Sequence, residues 1–174
     1  MAAITVIIPA YNVERYIRQT IQSVQNQSFS NFSCIIIDDG STDTTAQVIY
    51  ETIHNDERFL LVQQKNGGEC AARNTGIALV QTPLLTVLDS DDLWHSEFLQ
   101  KMTTVLSDQA IDLAWCHFAM FFDHSRQRKM QPWDNIHKTG NPWWDMLMDS
   151  IFCMGAWAAR TEVVRAAGLF DTTL

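Results

Sequence analysis

Residues 87–94 read VLDSDDLW, and they place Asp89, Asp91 and Asp92 within four positions, directly after the apolar run LLTVL. Adjacent carboxylates raise one another's pKa or splay apart unless a cation shares their charge. A helix cap explains one aspartate of the three. A hard divalent cation explains the group, since Mg²⁺ and Mn²⁺ take oxygen ligands and commonly bind through one or two carboxylates while phosphate oxygens and water complete the shell.

Other polar groups recur at comparable places. IIIDDGSTD carries Asp38 and Asp39 behind an apolar run. It is also good turn and helix-start chemistry, and strand alternation sends the two carboxylates in opposite directions, so one of them faces any shared site. A carboxylate there could accept a hydrogen bond from a base N–H or from ribose hydroxyls. Pro9, Tyr11 and Asn12 follow ITVIIP, and Tyr11 could stack on a base. Lys65, Asn66, Gly67 and Gly68 follow RFLLVQQ.

Elements that would position these groups are legible in the periodicity. ITVIIP (4–9), FSCIIIDD (32–39), RFLLVQQ (58–64) and LLTVL (84–88) read as strands. Helices are expected over 14–27, capped by Asn12, and over 43–54. Two more follow over 69–81 and 95–107, the last with Phe98, Leu99, Met102, Val105 and Leu106 on one face. Strands apolar on both faces, separated by helices, imply an α/β fold with a mainly parallel sheet covered on both sides. In such sheets ligands bind at the carboxyl ends of the strands, and every polar group above lies at such an end. Beyond residue 110, IDLAWCHFAMFF and MGAWAAR read as strands and 123–142 as a loop. PWWDMLMD reads as a short helix, and TEVVRAAG as another, closing at Ala166 or Ala167 before Gly168.

The totals exclude several classes. The chain has 174 residues, 47% apolar and 18% charged, which suits one globular domain. A net charge of −8 and no basic cluster argue against nucleic acid as a partner. Cys34, Cys70, Cys116 and Cys153 are scattered without metal spacing and read as small core residues in a reducing compartment. The five histidines show no i,i+4 pair. Gly67-Gly68 lacks dinucleotide and P-loop patterns. Five of six tryptophans (Trp115, Trp133, Trp143, Trp144, Trp157) fall in the C-terminal third, where core or interface packing is favoured over sugar stacking. No run approaches a membrane span and the N-terminus is not a signal peptide, so a cytoplasmic protein is expected, with peripheral membrane contact left open.

VIIPAYNVERYIRQTIQSVQNQSF, IIIDDGSTDTT, NGGECAARNTGIALVQTPLLTVLDSDDLW and the late GLFD together resemble the family 2 glycosyltransferases. The match is dense over 4–100, looser to about 150, and returns at 155–171. The resemblance implies a GT-A fold, with residues 1–110 as the nucleotide-sugar-binding half and 111–174 as part of an acceptor-binding half. Pro9, Tyr11 and Asp39 match residues around the base, and Arg73 a place near base or diphosphate. Asp89 and Asp91 match the D-x-D pair that holds ribose and metal-bound diphosphate. Asp92 would share the metal role, and Glu14 matches an acidic position at the site's edge. The implied reaction is metal-dependent, inverting transfer of a sugar from a nucleotide diphosphate donor, most often UDP, to a glycan or lipid-linked acceptor hydroxyl, as in polysaccharide biosynthesis.

Members of the family carry the general base shortly after G-x-FD, whereas this sequence ends at Leu174, and Asp145 and Asp149 match no family position. A truncated chain is therefore expected, one that binds nucleotide diphosphate with metal and transfers sugar poorly. Its exposed edge would favour a homodimer. Two alternatives stand beside this reading. One is a nucleotide-sugar-binding module without turnover. The other is a receiver-type signalling module, with Asp38, Asp39 and Asp89 as a Mg²⁺ pocket, but the late strand-end lysine it needs is not evident.

Overall fold

A computed structural model describes residues 2–116, 118–121, 128–130 and 153–173. Its centre is a six-stranded sheet in the order β3-β2-β1-β4-β8-β5. The strands are β1 (Ile4–Ala10), β2 (Phe32–Asp38), β3 (Phe59–Gln63), β4 (Leu84–Val87), β5 (Leu113–Trp115) and β8 (Trp157–Arg160). The pairs among the first four are parallel. β8 runs antiparallel between β4 and β5. The late strand thus joins the same sheet as the first four. A separate hairpin pairs β6 (Ala119–Phe121) with β7 (Arg128–Met130).

Alternation along β1 sorts the two faces. Ile4, Val6, Ile8 and Ala10 pack with Ile17, Ile21 and Val24 of α1 (Ile17–Gln25), Ile49 of α2 (Thr45–Ile53), and Leu99 and Met102 of α4 (Phe98–Val105). Ile7 faces the other side, with Ile77 of α3 (Glu69–Leu79). On β2, Ile35 and Ile37 likewise meet Ala72 of α3. Among the described residues, three helices therefore cover one face. α3 covers the other, seated so closely that a Cβ at Gly76 would overlap the Ile7 side chain.

The chain then returns to α3. After a 3₁₀ turn (Met154–Ala156) and β8, helix α5 (Thr161–Ala166) ends at the cap Ala167, ahead of Gly168 with φ 99°. Arg165 donates to the carbonyls of Ile77 and Val80 at 3.0 and 2.8 Å, joining the Val80 N–H on the first of these acceptors at the end of α3.

Several sequence expectations need correction. Asn12 does not cap α1. The N-cap is Tyr16, without a side-chain bond, while Asn12 sits at φ 52° and its Oδ1 accepts the Thr42 N–H at 2.8 Å. β3 is an edge strand, so Leu60 is exposed rather than buried. Val105 also points to solvent. α3 ends at Leu79, ahead of the expected Thr82-Pro83 boundary. IDLAWCHFAMFF yields two strands, and part of the expected 123–142 loop is β7. All four cysteines are free, and only Cys34 is fully buried. Trp157 packs against the α3-side core and Trp115 is largely exposed. The expected helix over PWWDMLMD, Asp145, Asp149, Trp133, Trp143 and Trp144 lie outside the described residues.

Candidate functional site

The carboxyl ends of β1, β2 and β4, with the first turn of α3, surround a cleft of about 540 Å³. Pro9, Tyr11, Asp39, Asp89 and Asp91 all line it. Parallel pairing is the cause: Ala10 pairs with Asp38 and Ile7 with Val87, so the tips of the three strands emerge together. Tyr11 is exposed at the rim.

The two aspartates closing β2 diverge. Asp38 is buried outside the cleft lining, where Oδ1 accepts the Ser41 N–H at 3.1 Å and Oδ2 a Gln63 amide N–H at 3.0 Å. Asp39 lines the cleft and is 2% exposed. Its Oδ1 accepts from Gln64 Nε2 at 2.7 Å and the Gly67 N–H at 3.0 Å. Its Oδ2 accepts the Gly68 N–H at 2.9 Å. Gly67 and Gly68 lead into α3, so Asp39 fixes the start of that helix. A carboxylate has about four lone-pair sites, and the Gly67 N–H is shared between two of them, so a further donor would take the place of its longer contact to Oδ2 at 3.2 Å.

The second cluster is differently supplied. Asp89 accepts one bond from Arg73 Nη2 at 2.9 Å. Asp91 is exposed, with no hydrogen bond or ion pair among the described residues. Asp92 is half-buried and outside the cleft lining, 3.9 Å from the Cys153 thiol. Burial pushes its carboxyl above the ordinary range, and the charges of Asp89 and Asp91 add to the shift. The turn itself is held from α1, since the Thr20 hydroxyl donates to the Ser90 carbonyl at 2.8 Å.

Among the described residues, no group of three or more His, Cys, Asp or Glu side chains is arranged to hold a metal ion. The donor set nonetheless fits a hard cation bound in the open mode. Asp91 offers an uncommitted carboxylate into the cleft and Asp89 a partly committed one, so phosphate oxygens and water would supply the remaining ligands. Asp92 turns instead toward the Cys153–Gly155 segment and does not join them.

Arg73 and Glu14 lie outside the cleft lining too. Arg73 is 7% exposed, behind the cleft, and bonds Glu69 and Asp89 through the same nitrogen while its Nε has no partner. Glu14 accepts the Thr44 hydroxyl at 2.6 Å and the Thr44 N–H at 3.0 Å, which hold its carboxyl below the ordinary range. It therefore secures the turn before α2 rather than the cleft. Sequence reasoning missed Glu69, which lines the cleft and bonds Arg73. An acidic residue in a helix's first turn reads locally as a dipole partner, which concealed it. Asp38 outside the cleft also removes a residue that the receiver-type alternative requires.

The family described as Glycosyl transferase family 2 matches residues 5–167. The glycosyltransferase GlyA of Streptococcus pneumoniae is 31% identical over 165 residues, 88% of this chain and 23% of GlyA. S. aureus TarS 1-349 in complex with UDP aligns with 99% of this chain and 51% of its own at a TM-score of 0.77 and 22% identity. The Pyrobaculum calidifontis mannosyltransferase PcManGT, in complex with GDP-Man and Mn²⁺, aligns with 98% of this chain and 48% of its own, at a TM-score of 0.74 and 19% identity. At those identities the two structures establish the GT-A type of fold. The chain spans less than half the length of GlyA and of EpsH of Bacillus subtilis. No helix among the described residues is long and apolar enough to cross a membrane.

Proposed function

Because the chain belongs to glycosyl transferase family 2, we propose that its cleft binds a nucleotide diphosphate sugar with a divalent cation and that the whole protein transfers the sugar, with inversion, to an acceptor hydroxyl of a glycan or lipid-linked glycan. Residues 1–110 form the nucleotide-sugar-binding half, and 111–174 contribute to the acceptor-binding half. The observation that carries this reading is the convergence of Tyr11, Asp39, Asp89 and Asp91 on one cleft from three different strand ends.

Tyr11 stacks on the base. Asp39 takes an imino N–H of the base on Oδ2, displacing the longer Gly67 contact there; uracil supplies that N–H and cytosine, with a bare ring nitrogen there, does not. Asp89 reaches the ribose, and Asp91 holds Mg²⁺ or Mn²⁺ against the diphosphate. When bound, the cation supplies Lewis-acid stabilisation of the leaving diphosphate. Asp89 is steadied by Arg73, whose cation also lies close enough to favour phosphate charge. The acceptor proton goes to a general base.

Calorimetric titration with UDP tests the reading. Binding that strengthens severalfold on adding Mn²⁺, and is weaker for CDP, is the expected outcome. No UDP affinity, or affinity indifferent to the metal, overturns it. UMP, lacking the second phosphate, should lose most of the metal effect.

A further inference from the structure

We propose that docking of the segment Gly168–Asp171 against α3 is coupled to occupancy of the cleft, with Arg73 as the link and Asn74 as a positioning residue; this rests on the nucleotide-binding reading above.

Asn74 grips Phe170 at both backbone groups. Its Oδ1 accepts the Phe170 N–H at 3.0 Å and its Nδ2 donates to the Phe170 carbonyl at 2.8 Å. One amide side chain thus does what a neighbouring strand would do. The neighbouring residue on α3, Arg73, lays its guanidinium 5.3 Å from the centre of the Phe170 ring. The same guanidinium bonds Asp89, which lines the cleft. A continuous set of contacts therefore runs from cleft carboxylate to cation to ring to clamped backbone.

Two features show that this set is poised rather than relaxed. Leu169 is an exposed non-glycine residue at φ 69°, a left-handed conformation that persists only where surrounding contacts enforce it. Arg165 anchors the helix before it and the Asn74 pair fixes the residue after it, so the strain is held from both sides. Arg73 is also incompletely used. One nitrogen carries both carboxylate bonds, and its buried Nε lacks any acceptor. Buried donors without partners are rare and unfavourable. A diphosphate arriving beside Asp89 brings the oxygen acceptors this side chain lacks.

The sign of the coupling follows. The centre of the Phe170 ring lies 5.3 Å from the guanidinium carbon, so a docked segment narrows the positions open to Arg73 and holds it ready for the ligand. By reciprocity, a bound ligand that fixes Arg73 strengthens the docking of Phe170 by the same factor. Asn74 is outside the cleft lining and acts only through Phe170 and Arg73.

The test uses the full chain, UDP and Mn²⁺. Asn74→Ala should weaken UDP binding by about 5- to 20-fold, within the usual range of coupling between sites. Ile53→Val provides the control, because Ile53 of α2 packs in the core on the opposite face of the sheet from Phe170. A merely structural role predicts equal effects of the two variants at matched thermal stability, whereas coupling predicts that Ile53→Val binds as the parent does. Saturating UDP and Mn²⁺ should also slow hydrogen exchange at the Phe170 amide of the parent chain severalfold. A folded Asn74→Ala chain with parental affinity, or a Phe170 amide indifferent to nucleotide, overturns the coupling while leaving the nucleotide site standing. A parent chain that binds no UDP removes both.

Discussion

The two acidic clusters have similar sequences and opposite circumstances. Asp38 and Asp39 are buried, and amide donors from residues 41, 63, 64, 67 and 68 surround them. Asp89, Asp91 and Asp92 lie nearer solvent, with one arginine and one thiol as their protein partners. Amide donors satisfy a carboxylate without any ligand. An undersupplied cluster keeps charge to spend on one. The first cluster therefore builds the cleft wall and starts α3, while the second is where a cation has most to gain.

Four changes would break or sharpen that contrast. The largest effect belongs to Asp39→Asn. It leaves the Gly67 and Gly68 N–H groups short of acceptors and should cost about 3 kcal/mol of folding stability, read from urea unfolding. A loss no greater than that of a surface substitution would remove the structural half of the comparison. Asp91→Asn should do the converse. Its thermal midpoint stays parental, while the Mn²⁺-dependent part of UDP affinity falls roughly 10- to 100-fold, the range seen when groups tuning a metal site are removed. Unchanged metal dependence would reassign the cation to other residues.

Asp92→Asn is expected to act in the stabilising direction. Burial and two neighbouring charges disfavour the ionised form of Asp92, so its neutral replacement should raise the metal-free thermal midpoint. Glu14→Gln should have the smallest effect, leaving UDP affinity within about twofold of the parent, as additive behaviour for a residue outside the cleft requires. Its signature is in the acid limb. Thr44 holds the Glu14 carboxyl below its ordinary value near 4.5, so the contribution of Glu14 is complete above that value. It fades as pH falls through the lowered folded value. Thermal melts across that range should show a shallower acid loss in the glutamine variant.

Much of this was legible locally. The strands β1, β2 and β4 are continuous apolar runs because both faces are covered, and their polar tips mark the ligand edge. Edge position is not written in a run of that kind, which is why β3 read as buried while Leu60 meets solvent. Glu14 likewise read as a site residue from its motif, although its carboxylate is taken by Thr44, 30 residues away.

Residue order alone determined the α/β alternation, the apolar faces of the helices and the placing of acidic tips after the strands, since all three depend on periods of two or 3.6 residues and on nearest neighbours. Only the tertiary structure decided which carboxylates have spare charge, that Asp92 faces Cys153 rather than the cleft, and that Asn74 reaches across 96 positions to hold Phe170. Those outcomes depend on which donors distant segments bring within 3 Å or so of each oxygen, a distance that no local pattern encodes.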